Sequence, residues 1–212
     1  MNELSPREKR QQRTHQAILD AARQLINEKG VDGLSMRAIA ERIEYSPAGL
    51  YEYFGSKEEI IGAIAMQGHQ RLTAYLDGID RSLPPRDYLI GIGVAYVEFA
   101  VHNPDFFLLM FTHTSSTTAN VTELAAEVAH EMQPGSAFVI LVRGIERGVR
   151  EGVFLVRASF GVFDMAFAAW SIVHGIAMLR ITNLRHFQGD FDTLTRETLT
   201  AFTNGLVTPL VS

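Results

Sequence analysis

Residues 45–60 read YSPAGLYEYFGSKEEI. A proline and a glycine stand directly before three aromatics, and a serine, a lysine and two glutamates follow. Tyrosine hydroxyls and a lysine ammonium are groups that meet phosphate oxygens. Other residues raise catalytic or metal chemistry. His102, His113, His130 and His174 lack the close helical His pairing with a carboxylate that a metal site wants. Asp164, Ser171 and His174 have the residue types of a hydrolytic triad. Along one helix Ser171 and His174 can meet, but Asp164 falls ~2 turns from His174, a poor geometry for a triad. There is no Gly-rich phosphate loop. The sequence therefore predicts binding rather than catalysis, with no metal and no cofactor.

The 212 residues are 47% hydrophobic and 20% charged, an ordinary globular balance. The chain contains no cysteine, hence no disulfide and no thiolate metal site. That composition, and an N-terminus MNELSPREKRQQRTHQ without the apolar core of a signal peptide, predict a cytoplasmic protein. The longest apolar run, Phe160 to Ile181, is interrupted by Asp164, Ser171, His174 and Arg180, and reads as a buried helix rather than a membrane span. Net charge is −5, so the overall balance does not announce a nucleic-acid binder. Arg7, Lys9, Arg10 and Arg13 outnumber Glu3 and Glu8, leaving a basic polar arm before Thr14.

Helical periodicity dominates. From Thr14, Ile18, Ala22, Leu25 and Ile26 share one face, and Gly30 supplies a stop. Ser35 caps a short helix with Met36, Ile39, Ala40 and Ile43 inward. Ser46-Pro47 starts a third helix, expected to run to Phe54. Ser56-Lys57-Glu58-Glu59 is a capping box opening a fourth, with the stripe Ile61, Ile64, Gly68, Leu72, Tyr75 and Ile79. Further helices are expected at about 86–102, 104–112, 121–132, 137–151, 160–184 and 192–207, with ends set to within ~2–4 residues. No strand-like alternation is present. The expected architecture is all-α: an N-terminal three-helix helix-turn-helix unit, then an antiparallel helical bundle.

With Leu50 and Phe54 buried, Ala48, Gly49, Tyr51 and Glu52 face outward or sideways. Small residues at the helix start admit it to a major groove, while Tyr51 and Lys57 reach phosphates and fix register. Free N–H groups near Ser35 and Ser56 offer anion-binding ends. The competing reading is a helical protein-interaction module without specific DNA binding; a small enzyme is the third.

The stretch GVDGLSMRAIAERIEYSPAGLYEYFGSKEEII resembles the DNA-binding domain of TetR-type transcriptional regulators, over Thr14 to about Ala65. The resemblance implies backbone contacts from Ser35 and Arg37. It places Pro47, Ala48 and Gly49 at the groove-reading start of the recognition helix, and has Tyr51, Tyr53 and Lys57 meet phosphate or bases. It also implies that the basic arm lies on the duplex. Two departures stand out. Glu44 occupies a turn position that the family usually fills with glycine, which puts the helix angles in question, and Tyr45 follows where a smaller residue is common. Glu52 could accept from a cytosine amine, pair with Arg37 or Arg42, or lie away from DNA.

AYVEFAVHNPDFFLLMF and AAWSIVHGIAMLRI resemble the TetR C-terminal type marked by Trp170, His174 and Gly175. This implies homodimerisation through about 160–184 and 192–210, and a ligand pocket in the middle helices. Phe160, Phe163, Phe167, Trp170 and Ile176 spread over more than one helix face, as a helix buried on two sides requires. The apolar and Met-rich candidates for the pocket are Phe106, Phe107, Met110, Phe138, Phe163 and Trp170. The expected domains are 1–58 for DNA with the basic arm, and 59–212 for ligand and dimerisation. The expected protein is a ligand-responsive repressor that binds palindromic operator DNA as a homodimer and answers to a small, mostly apolar effector.

Overall fold

In the computed structural model, residues 5–112 and 135–207 are described. They form α1 (Pro6–Lys29), α2 (Met36–Arg42), α3 (Pro47–Leu50), α4 (Lys57–Asp77), α5 (Pro85–His102), α6 (Pro104–Thr112), α7 (Ala137–Arg150), α8 (Val162–Ile181) and α9 (Phe191–Leu206), with a 3-10 turn at Val31–Gly33. Among the described residues the only β pairing is two isolated bridges, Phe154 with Val207 and Arg157 with Phe160. The expected helix at 121–132, with His113 and His130, lies outside the described residues.

Two compact units emerge, one of residues 1–68 and 105–117, the other of 69–104 and 118–212. They do not follow a single cut in the chain.

In the first unit, the polar arm is not an arm. Ser5 caps α1 with a reciprocal bond pair to Glu8, and Pro6 stands at the first helical position, so Arg7, Lys9, Arg10 and Arg13 lie on the helix. Ile18, Ala22 and Leu25 are buried, joined by Leu19 and Ala21. Arg42 closes α2 onto α1 with two hydrogen bonds to the Glu28 carboxylate, at 2.9 and 2.6 Å. The Glu28 carboxyl is held below its ordinary range by that bond. The α6 helix joins this unit: Arg23 donates to Asp105 at 2.8 Å, and its guanidinium lies 4.3 Å from the Phe106 ring centre. At Gly68 a Cβ would fall 2.5 Å from the Met110 sulfur, so the missing side chain sets how closely α6 lies on α4.

The expected stripe of α4 needs one correction. The fully buried positions run Ile60, Ile64, Gly68, Leu72, Leu76 at four-residue steps. Ile61 is half-buried, Tyr75 is exposed, and Ile79 lies past the helix end. A step of four advances ~40° beyond a full turn each time, so the covered line winds around α4.

In the second unit α5 is the centre, packed on α7, α8 and α9. Gly93 lets them converge: a Cβ there would meet Leu199 at 2.8 Å and Val173 at 3.3 Å. Phe99, Ala100, Ile145, Met165, Ala166 and Ala177 are fully covered. Arg147 donates to the carbonyls of Arg81 and Leu83 and lies 5.1 Å from the Tyr88 ring centre, fixing the turn before α5. By length and apolarity α8 could cross a bilayer. Here it lies against α5 and α7 with Met165, Ala169 and Val173 covered.

Candidate nucleic-acid interface

The connection between α2 and α3 settles the question that Glu44 raises. Glu44 adopts φ 55°, the left-handed region. Its N–H points to Glu41 O at 3.4 Å, and the Tyr45 N–H bonds Ala40 O at 2.9 Å. These two bonds are the paired closure of a helix C-terminus that glycine ordinarily serves. The turn is therefore kept rather than altered, with the ~1–2 kcal/mol cost of a left-handed non-glycine residue carried by Glu44.

After this turn Ser46 is extended, and its Oγ accepts from Gly49 N–H at 3.0 Å. Pro47 opens α3 where no N–H is needed. The third helix is shorter than expected. Regular helix ends at Leu50, and the chain goes on as a turn whose Phe54 N–H still reaches Leu50 O at 3.1 Å. Leu50 and Phe54 are buried, and Phe54 stacks near His15 at 4.6 Å between ring centres. Burying Leu50 and Phe54 turns the intervening residues outward: Tyr51 is 58% exposed, Glu52 is exposed and Tyr53 half-buried.

Each expected site residue can now be placed. Ser35 caps α2, its Oγ accepting from Ala38 N–H at 3.1 Å. Arg37 stands in the next turn, its side chain 83% exposed and paired at 2.9 Å with Glu41. An exposed pair of this kind is weak, so the guanidinium is readily given up to a phosphate. Pro47 and Ala48 are exposed, and Gly49 is half-buried. Lys57 is the first residue of α4. Ser56 Oγ accepts from Glu59 N–H at 3.2 Å, while the Glu59 carboxylate turns to the Gly55 N–H, one residue earlier than a regular capping box. Arg37 is engaged by Glu41 and Arg42 by Glu28, so neither pairs with Glu52.

The sequence singled out Tyr45 only as a departure. Its ring lies against Gly49, where a Cβ would be 2.8 Å away, and meets the Tyr53 ring edge-on at 6.4 Å. Its phenol is pushed above the ordinary range, chiefly by the hydrogen bond with Tyr53. The signal was the pairing of a bulky residue with a glycine four positions later.

The pocket candidates fall into two groups. In the first unit Phe106 and Phe107 are fully buried, and Met110 lies on Gly68. In the second, Phe138 meets both Phe163 and Trp170 edge-on at 5.8 Å. Trp170 donates its indole N–H to Tyr96 Oη at 3.2 Å, and Tyr96 Oη lies 3.0 Å from His174 Nδ1. Which of Tyr96 Oη and His174 Nδ1 donates across this contact follows the tautomer of the ring. Burial lowers the His174 pKa, in keeping with a neutral ring. The triad residues are employed separately. Asp164 accepts from Gly161 N–H at 2.8 Å, Ser171 donates to Phe167 O at 2.8 Å, and His174 holds Tyr96.

Known proteins resemble both halves. The family model "Bacterial regulatory proteins, tetR family" matches residues 18–64, and "Tetracyclin repressor-like, C-terminal domain" matches 89–202. The chain is 33% identical over 117 residues to UidR, a helix-turn-helix-type transcriptional regulator of Escherichia coli (strain K12), covering 55% of this chain and 52% of UidR. It is 29% identical over 97 residues to YobS of Bacillus subtilis (strain 168), an uncharacterised regulator of the same type, covering 44% and 49%. The matched stretch spans about half the length of these relatives. Among solved structures, a Rhodococcus sp. RHA1 protein of unknown function superimposes with TM-score 0.73 at 23% identity, covering 92% of this chain and 95% of that one. PfmR of Thermus thermophilus, a TetR family transcriptional regulator, does so with TM-score 0.63 at 24% identity, covering 92% and 96%. These likenesses establish the all-α fold with its helix-turn-helix unit.

Proposed function

The chain belongs to the TetR family of bacterial regulatory proteins, and from that premise we propose that it is a ligand-responsive transcriptional repressor that binds palindromic operator DNA as a cytoplasmic homodimer. The observation that carries the DNA reading is the left-handed Glu44 turn, which joins α2 to an α3 whose first residues, Pro47 and Ala48, are small and exposed. On this reading residues 1–58 hold the duplex. Ala48 and Gly49 approach base edges, while Ser35, Arg37, Tyr51, Tyr53 and Lys57 meet the backbone or nearby bases. The helical extension of α1 brings Arg7, Arg10 and Arg13 as further phosphate partners.

Residues 59–212 serve dimerisation and the effector. Phe163, Phe167 and Leu179 are 57%, 55% and 49% exposed on α8, and Leu194 is 59% exposed on α9. Ser171 and Gly175 continue the same four-residue line on α8, and a Cβ at Gly175 would meet nothing within 4 Å. An apolar stripe with small residues at its middle suits a two-fold helix pair. This supports the segment 160–184 and the described part of 192–210 as the dimer contact. A small, mostly apolar effector suits the aromatic group Phe138, Phe163 and Trp170, in the C-terminal type marked by Trp170, His174 and Gly175.

The test is a mobility shift and footprint on DNA upstream of the protein's own coding sequence. Two protected half-sites with centres ~34 Å apart, or a multiple of one turn, are expected. Lys57→Ala should weaken binding on all sequences and lower the salt slope by about 1. A protein that shifts no DNA from that region, specific or random, is a helical interaction module instead.

A further inference from the structure

A cavity of about 150 Å³ lies among α5, α8 and α9, in the second unit. Val94, Val97 and Val101 of α5 form its apolar side. Arg180 of α8 and Thr195 of α9 face them. Three further ionisable groups line it: Glu98 and His102, one turn apart on α5, and Asp192 on α9.

Two of these side chains are held ready with donors to spare. Thr195 is 4% exposed and lines the cavity, and among the described residues no hydrogen bond from its hydroxyl to a carbonyl of α9 is found. The neighbouring threonines of α9 do otherwise: Thr198 donates to Leu194 O and Thr203 to Thr200 O. Its oxygen is not sealed off, so the hydroxyl is available to whatever fills the cavity, water or ligand. The Arg180 side chain is only 18% exposed and lies with its guanidinium 4.6 Å from the Phe191 ring centre. Its one hydrogen-bond partner among the described residues is Asp192, at 3.5 Å, and that carboxylate is itself 89% exposed. Five N–H donors fixed in a plane with one long contact make a fork set for a carboxylate.

The charges narrow the class. A simple anion entering would meet Arg180 but also Glu98 and Asp192. A simple cation would meet Arg180. A zwitterion satisfies both signs. The volume is that of about 5 water molecules, well below a drug-sized site. We infer that this cavity is a second ligand site, separate from the aromatic effector group, for a small aliphatic α-amino acid. Its carboxylate lies on Arg180 and the Thr195 hydroxyl, its ammonium faces Glu98, and its side chain rests on the valines.

L-Valine is the probe, titrated calorimetrically into the full-length protein, with isovalerate and isobutylamine as half-molecules. Valine should bind, and each half-molecule should bind at least about 10-fold more weakly, since each leaves one charged group of the site unanswered. Thr195→Val, a change of the same shape, should weaken valine by about 10-fold. Arg180→Met should weaken it further, with circular dichroism checking that α8 and α9 persist. Glu98→Gln, on an exposed side chain, should erode the preference for valine over isovalerate. Isovalerate binding as tightly as valine would overturn the zwitterion assignment. No heat from valine up to about 20 mM, where even a weak small ligand registers, overturns the site itself. Neither result touches operator binding, which is measured separately.

Discussion

The ring of Tyr45 fills the space that a side chain at Gly49 would take: a Cβ at residue 49 would lie 2.8 Å from Tyr45 Cε1 and 3.0 Å from Cδ1. The turn residue Tyr45 and the first turn of α3 are thus fitted to one another. Tyr45 is 42% exposed, but its edge contact with Tyr53 at 6.4 Å holds the ring in place. Alanine in a helix ordinarily improves on glycine by ~1 kcal/mol. Gly49→Ala should here destabilise the protein and weaken operator binding, because Tyr45 must move. In a Tyr45→Ala background the same change should be neutral or stabilising. The four proteins form a double-mutant cycle, and a coupling of about 0.5–3 kcal/mol is expected. Equal effects of Gly49→Ala in both backgrounds would mean that the ring swings aside freely.

Glu44 offers a simpler substitution. At φ 55° a Cβ costs ~1–2 kcal/mol, and glycine removes that cost while adding back some backbone entropy to the unfolded chain. Glu44→Gly should raise stability by up to about 1 kcal/mol, seen as a higher urea midpoint with unchanged slope. Glu44→Val should lower it, since a branched Cβ fits this region worst. A Glu44→Gly protein no more stable than the parent would place the strain elsewhere.

Much of this was legible in the sequence because it rests on local rules. Ser35, Ser46 and Ser56 announced three helix starts through capping chemistry. Leu50 and Phe54 followed from a four-residue step, and that step turned Tyr51 outward. The relation between Tyr45 and Gly49 was not read, although both residues stood out singly, because a contact across a turn depends on the turn's dihedral angles. The extension of α1 to Pro6 was missed because a polar, charged segment has no apolar face to mark it as a helix; Ser5, Pro6 and Glu8 were the available signals. The Arg23–Asp105 bond, spanning 82 positions in sequence, had no local signature at all. Nor did the order Trp170, Tyr96, His174, although three polar rings on apolar helices implied that each needed a partner.

The α8 stripe gives a direct test of assembly. Phe167 stands near its middle, 55% exposed, with no role in the core of its own protomer. Phe167→Glu should leave helicity intact but put a charge into the proposed two-fold contact, where burial without a partner costs several kcal/mol. The variant should sediment as a monomer at micromolar concentration, and operator affinity should drop by orders of magnitude as the paired half-sites are lost. A dimer of unchanged strength would move the interface off this face.

His174 should make stability depend on pH in a defined window. Burial lowers its pKa in the folded protein, where the ring lies 3.0 Å from Tyr96 Oη. The unfolded chain takes up a proton at the ordinary value of about 6.5. Between that value and the lower folded one, the unfolded state binds more protons, so stability rises with pH. The stabilising contribution is present above about pH 7, declines as pH falls through 6.5, and stops declining once the folded ring also protonates. His174→Gln keeps a polar partner for Tyr96, able to donate or accept, but cannot titrate. Urea unfolding of both proteins at pH 7.5 and 5.5 should show the parent losing more stability on acidification than the variant. The comparison cancels the other histidines, which both proteins share. Equal losses in the two would mean that the folded protein accepts the His174 proton as easily as the unfolded chain does, and that the Trp170–Tyr96–His174 order does not hold the ring neutral.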